Sequence, residues 1–302
     1  ETYIPSMTLV PEKRELDPNR NADVVSRPNF INDIAAGKVE LPTIPAVVQK
    51  LMAALKDPNV DARKIGESLA KDPILSAKVL RLANSSFFGG QRSMSSIDAA
   101  VSLIGIQALS RLIVACGVSS SFKDIPGIDM KVFWSDSLLA ATAASKIAPR
   151  LEADPEAAYV CGLLHATGHL ILCQTYPEIA DLVFTGYEVV RGAELAAIES
   201  DNFGTAHPEV GALWIESIGF PQPVADTIRK AVQPPAATDV QLDHTVRAAC
   251  ALALAVGTKT DAATALATLP PYVRSKFSGA DGKPDRAFDK LYEQLQETEP
   301  TF

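Results

Sequence analysis

Apolar residues recur along this chain every three or four positions, and the runs are separated at short intervals by Gly, Pro or short polar residues. Ile44, Val47, Val48, Leu51, Met52 and Leu55 follow the turn Leu41-Pro42-Thr43-Ile44-Pro45 at i, i+3, i+4, i+7, i+8 and i+11, one face of an amphipathic helix. Before it, Asn29 to Ala36 predicts a short helix stopped by Gly37. Asp72-Pro73 and Asp154-Pro155 each set a capping carboxylate before a proline at the first helical position, where the missing N–H costs nothing. The first pair opens a helix through Leu75, Val79, Leu80 and Leu82 that frays at Asn84-Ser85-Ser86; the second opens one apolar helix carrying Tyr159 to Leu172. Ser96 caps a helix with Ile97, Val101 and Ile104, stopped by Gly105, and Gln107 to Val118 follows at once. Lys131 to Arg150 reads as a longer helix, and Pro177 to Arg191, Glu194 to Phe203, Pro208 to Ser217 and Pro223 to Val232 as further ones. Past Gln233-Pro234-Pro235 come Asp243 to Val256, a short helix after Pro270-Pro271, and an amphipathic helix with Phe288, Leu291, Tyr292 and Leu295. Period-2 alternation is nearly absent, so the pattern predicts an all-α chain.

The breaks divide the chain into an arm over residues 1–28, a helical domain over 29–235, and a C-terminal helical extension over 236–302 packed on that domain. The arm carries Pro5, Pro11, Pro18 and mixed charge without a sustained period, which suits an extended segment. With 302 residues and 47% apolar content, the rest is long enough to bury a large core. Twenty-eight Lys and Arg against 36 Asp and Glu leave a net charge of −8, which gives no global attraction to nucleic acid or an anionic membrane. The longest nearly uncharged apolar run, Ala248 to Gly257, is roughly half the length that crosses a bilayer, so no membrane insertion is expected. The first thirty residues lack a secretory pattern, and the start at Glu1 instead of Met is what a trimmed piece of a longer protein would show. Cys116, Cys161, Cys173 and Cys250 have no C-x-x-C spacing and lie in apolar segments, as reduced core cysteines of a cytoplasmic protein would.

Several segments, in order, resemble one known family. Leu41-Pro42-Thr43-Ile44-Pro45, Lys71-Asp72-Pro73-Ile74-Leu75-Ser76 and Leu80-Arg81-Leu82-Ala83-Asn84-Ser85-Ser86-Phe87-Phe88-Gly89 are similar to the HDOD (HD-related output) domain. Ser96-Ile97-Asp98-Ala99-Ala100-Val101 and Leu103-Ile104-Gly105 fit the same pattern, and the similarity covers roughly residues 29–235. The resemblance implies an orthogonal multi-helix bundle of HD type in a bacterial signalling protein. Such domains are often joined to receiver, diguanylate cyclase or phosphodiesterase modules, and they act through protein contacts.

The same fold in HD phosphohydrolases holds a divalent ion with His and Asp side chains from several helices, leaving a position for the water it acidifies. Here Gly162-Leu163-Leu164-His165-Ala166-Thr167-Gly168 stands where the resemblance puts Gly-Leu-Leu-His-Asp-Ile-Gly. His165 is kept, but its Asp partner is Ala166, which cannot ligate. The first His position corresponds to Asp136, and a later His to His207; the His-His position reads Ala231-Val232, and near the last Asp only Cys250 has ligand capacity. Asp136, His165 and His207 therefore either form a degraded three-residue pocket or are hydrogen-bonded bundle side chains, with His207 near a helix start. The second alternative is expected, with no catalytic residue, metal or cofactor.

Asn84-Ser85-Ser86 is expected to end its helix by bonding nearby backbone, Phe87, Phe88 and Trp134 to be core, and Lys123, Asp124, Lys131 and Arg150 to be solvated charges. No G-x-S-x-G elbow or phosphate loop occurs. The expected function is non-enzymatic recognition of other signalling proteins, such as two-component proteins or cyclic-dinucleotide turnover enzymes, or of a small ligand. The alternatives are an HD-type metal-dependent phosphohydrolase acting on a nucleotide or cyclic dinucleotide with an atypical site, and a nucleic-acid or nucleotide binder without catalysis.

Overall fold

Side-chain caps fix where the helices begin. The computed structural model describes residues 28–46, 48, 49, 65, 67, 69, 72–84, 94–122, 125, 127–184 and 192–297. The arm over 1–27, four of the six residues of the amphipathic face after Pro42, and Ser85, Ser86, Phe87, Phe88, Lys123 and Asp124 lie outside the described residues. Asn29 caps α1 (Phe30–Ala35) by accepting from the Asn32 N–H at 3.1 Å. Asp72 caps α2 (Pro73–Ala83) through the Leu75 N–H at 2.9 Å, and Ser96 caps α3 (Ile97–Ser119) through the Ala99 N–H at 3.1 Å. Asp129 and Asp154 do the same for α4 (Met130–Ile147) and α5 (Pro155–Leu164). The chain continues through α6 (Thr167–Thr175), α7 (Pro177–Phe184), α8 (Gly192–Phe203), α9 (His207–Ser217) and α10 (Gln222–Lys230). Beyond these lie α11 (Gln241–Gly257), α12 (Ala262–Thr268), α13 (Pro271–Phe277) and α14 (Arg286–Gln296). Among the described residues no strand forms, so the chain is all-α as the periodicity predicts.

Four local readings are corrected. The stretch from Tyr159 to Leu172 is two helices, not one, parted at His165 and Ala166; Ala166 leaves the helical region with φ −109° and ψ 2°, and the Thr167 hydroxyl caps the Leu164 carbonyl at 2.8 Å. The long helix after Lys131 does not reach Arg150 as an α-helix, because Pro149 lacks an N–H and residues Ala148–Leu151 tighten into a 3₁₀ turn. Arg150 is not simply solvated: it pairs with the Asp285 carboxylate and lies 4.7 Å over the Phe277 ring. The short helix α12, capped by Asp261, was not expected at all.

Gly105, with φ 82° and ψ 165°, interrupts the helix as expected, and the two helical halves of α3 run on either side of it. By length and composition Ile97–Ser119 and Pro155–Thr175 are each apolar enough to cross a bilayer, although no such stretch was expected from the sequence. In this fold both stretches are bent, and 44% and 67% of the residues in their most apolar 18-residue windows are buried.

Two cores result. The larger holds Phe30, Val79, Leu112, Trp134, Tyr159, Trp214 and their neighbours, with the Trp214 indole N–H donating to the Pro42 carbonyl at 2.6 Å. Trp134 is core, as expected. The second lies between α4 and α11 and is closed by α12 to α14: Leu139, Ala143, Ile147 and Leu151 meet Leu252, Phe277, Phe288 and Leu295. The packing along α4 is close because its partners are small. A Cβ on Gly162 of α5 would fall 2.8 Å from the Ala140 carbonyl oxygen.

Candidate functional site

The break between α5 and α6 sets the candidate site. His165 is the C-terminal cap of α5, half-buried, with Nδ1 2.8 Å from the carbonyl oxygen of Gly162. A carbonyl only accepts, so Nδ1 carries the proton of this bond. Ala166 has no side-chain oxygen to offer where a ligand would be required. Asp136 is half-buried on α4 and His207 is buried as the first residue of α9. Among the described residues, Asp136, His165 and His207 included, no group of three or more His, Cys, Asp or Glu side chains is arranged to hold a metal ion.

What the structure does gather is a different set. Gly168, without a side chain, lets α6 lie directly on the backbone of α9; a Cβ there would be 2.0 Å from the His207 carbonyl oxygen. That contact brings His169 and His207 to opposite oxygens of one buried carboxylate. Glu199 of α8 has Oε1 2.7 Å from His169 Nδ1 and Oε2 2.6 Å from His207 Nδ1, and Oε2 also accepts the His207 backbone N–H at 2.7 Å. An ionised carboxylate is an acceptor only, so both histidines present Nδ1–H to it. The Cys173 thiol, one turn along α6, sits 3.7 and 3.8 Å from the two ring nitrogens of His169, and Phe184 meets that ring edge-on at 5.0 Å.

Glu199 is wholly removed from solvent. Burial alone would raise its pKa, but the charge of His207 and the bonds from both histidines outweigh it and hold the carboxyl at about 2. Burial would likewise lower His169, and its bonds to Cys173 and Glu199 reverse this, raising it to about 10. Burial pushes the Cys116 and Cys250 thiols up to about 12 and the Cys161 thiol higher still, so these are inert core sulfurs.

His207 is thus a hydrogen-bonded histidine at a helix start, as expected, while Glu199 and His169 were missed. A signal for Glu199 was present: Leu195, Glu199 and Phe203 fall at i, i+4 and i+8, one buried stripe with a carboxylate at its centre. A second polar cluster also escaped the sequence. Asp243 accepts from the Thr227 hydroxyl at 2.6 Å, the Lys230 ammonium at 2.7 Å and the Val240 N–H at 3.1 Å, and Arg247 pairs with Asp239 at 3.0 Å. These bonds tie α10 to α11 near the region where the resemblance placed the last metal ligands, and they occupy both oxygens of the Asp243 carboxylate. On the far side of α6 a shallow cavity of about 210 Å³ is lined by Lys38, Glu40, Pro42, Ile171 and Gln174.

Residues 41–234 match the HDOD domain model. An uncharacterized protein of Treponema pallidum (strain Nichols) is 25% identical over 216 residues, which are 70% of this chain and 41% of that protein, so the chain spans about two fifths of that relative's length. A solved structure of a Shewanella amazonensis SB2B protein, named as a phosphohydrolase candidate, superposes with a TM-score of 0.68 at 26% identity, covering 88% of this chain and 95% of the other. An HDOD domain protein with unknown function from Geobacter sulfurreducens superposes with a TM-score of 0.67 at 26% identity, covering 87% and 91%. A third, from Marinobacter aquaeolei VT8 and named as a signal-transduction candidate, shares the fold at 24% identity and a TM-score of 0.66, covering 86% of this chain and 58% of its own. With the family model matching nearly two thirds of its length and the same helical architecture in these neighbours, this chain belongs to the HDOD domain family.

Proposed function

We propose that this chain is a non-enzymatic, cytoplasmic signal-transduction module that acts by recognising another signalling protein or a small ligand. The observation that carries the reading is the state of the residues an HD hydrolase would use. Position 166 has no ligating side chain, and among the described residues Asp136, His165 and His207 are not arranged as a group that could hold a metal ion. A hydrolytic metal needs several N or O ligands converging on one ion with a water position left open. HDOD membership and the signal-transduction name of one neighbour support the same reading. Recognition of this kind shifts a conformational equilibrium only through a difference in affinity for two arrangements. The acidic balance of the whole chain favours a protein or small-ligand partner over nucleic acid.

The second reading is a metal-dependent phosphohydrolase with an atypical site, favoured by the name given to the Shewanella neighbour at 26% identity. Metal content separates the two. After incubation with manganese, iron or zinc and removal of the excess, the purified chain is expected to retain only substoichiometric metal, and His165→Ala to leave that content unchanged. Stoichiometric metal in the wild type that is lost in His165→Ala would overturn the non-enzymatic reading.

A further inference from the structure

Among the described residues, α7 and α8 bury few side chains: α8 buries Leu195, Glu199 and Phe203, and α7 buries Ala180, with Ile179 and Phe184 packed partly buried against the larger core. Segments with few buried apolar contacts open locally at low cost. The apolar part of the grip is a line of rings: Phe184 and Phe203 lie 6.3 Å apart, Phe203 and Tyr176 6.0 Å. The polar part is Glu199, which reaches from α8 to His169 on α6 and to His207 on α9. Breaking those bonds leaves a carboxylate and two histidines to be resolvated or stranded, so the cluster ties α8 to both α6 and α9. Beneath it lies Cys173, 1% exposed.

We propose that His169, Glu199 and His207 form a proton-dependent latch that holds α7 and α8 closed over Cys173, and that the latch loosens as His169 gives up its proton. A protonated His169 donates a charge-assisted bond to Glu199; a neutral ring keeps the Nδ1–H bond and loses the ion pair. The titratable groups facing His169 are Glu199 from α8, Cys173 from its own helix and, across the shared carboxylate, His207 from α9. From α7 the ring is met by Phe184, and α1 brings Asp33 to the Tyr176 hydroxyl at 2.7 Å, three residues beyond Cys173.

The direction of the pH effect follows. The folded pKa of His169, about 10, lies above its ordinary 6.5. The latch is therefore at full strength below about pH 6.5 and weakens as pH rises toward 10, with the closing equilibrium falling about tenfold per pH unit in that window. The Glu199 contribution is fully present above about 4.5 and is constant across the same range. The device thus responds on the alkaline side of neutrality.

Hydrogen exchange of the full chain, corrected for intrinsic rates, tests this. Protection of the amides in residues 192–203 is expected to fall about tenfold per unit between about pH 7 and 9. Over the same range Cys173 alkylation should accelerate beyond the rise measured for the urea-unfolded chain. In His169→Gln, whose amide still donates to Glu199 but does not titrate, the slope should vanish; in Glu199→Gln protection should be low at every pH. PH-independent protection of residues 192–203 in the wild type, which needs no variant to fold, would overturn the proposal, as would an undiminished slope in His169→Gln.

Discussion

A chain ending at Ala236 is expected to be insoluble, or to lack a cooperative melting transition if recovered, although the family match stops at residue 234. The reason lies in the second core. Leu139, Ala140, Ala143, Ala144, Ile147, Ala148, Leu151 and Ala158 share the second core with side chains that come mainly from α11 to α14. Uncovering them costs about 5 kcal/mol or more by area bookkeeping, on the order of the whole stability of an ordinary domain. The cut also strips Lys230 and Thr227 of the Asp243 carboxylate and removes Val246, which belongs to the larger core. The 29–235 unit and the 236–302 extension are therefore expected to fold together. A soluble 1–236 chain melting within a few degrees of the full chain would refute this.

Gly168→Ala is expected to destabilise the full chain by about 3 kcal/mol or more, read from urea denaturation, even though Ala favours a helix over Gly. The added Cβ would be 2.0 Å from the His207 carbonyl oxygen and 2.6 Å from the Gly211 backbone nitrogen. These are main-chain atoms of α9 that cannot rotate aside, so α6 and α9 must separate, and the His169–Glu199–His207 bonds stretch with them. Gly219→Ala is a useful control, since nothing lies near its missing Cβ and only its φ of 84° is unfavourable. Equal losses at the two sites would show that the α6–α9 contact carries no special weight.

How far the sequence could be read depended on how local each cause was. The caps at Asp72, Ser96 and Asp154 and the bend at Gly105 were legible because a side chain or φ angle within one turn decides them. The break at Ala166 was not, since no Gly or Pro marks it there; the role of Gly168 lies in the approach of α9, some forty residues away in the chain. Arg150 read as a surface charge because its partner Asp285 is 135 residues distant. The short α12 hides in a composition of Ala and Thr that offers no face to follow. At the site, the lack of a ligating side chain at position 166 could be seen from one residue. That Glu199 gathers His169 and His207 could not, because a lone glutamate is by default a solvated one.

If the proposed recognition role is right, the chain supplied with manganese, iron or zinc and offered nucleotides and cyclic dinucleotides releases no phosphate or linearised product above the level produced by metal alone. Turnover that saturates with substrate and disappears in His165→Ala would contradict it.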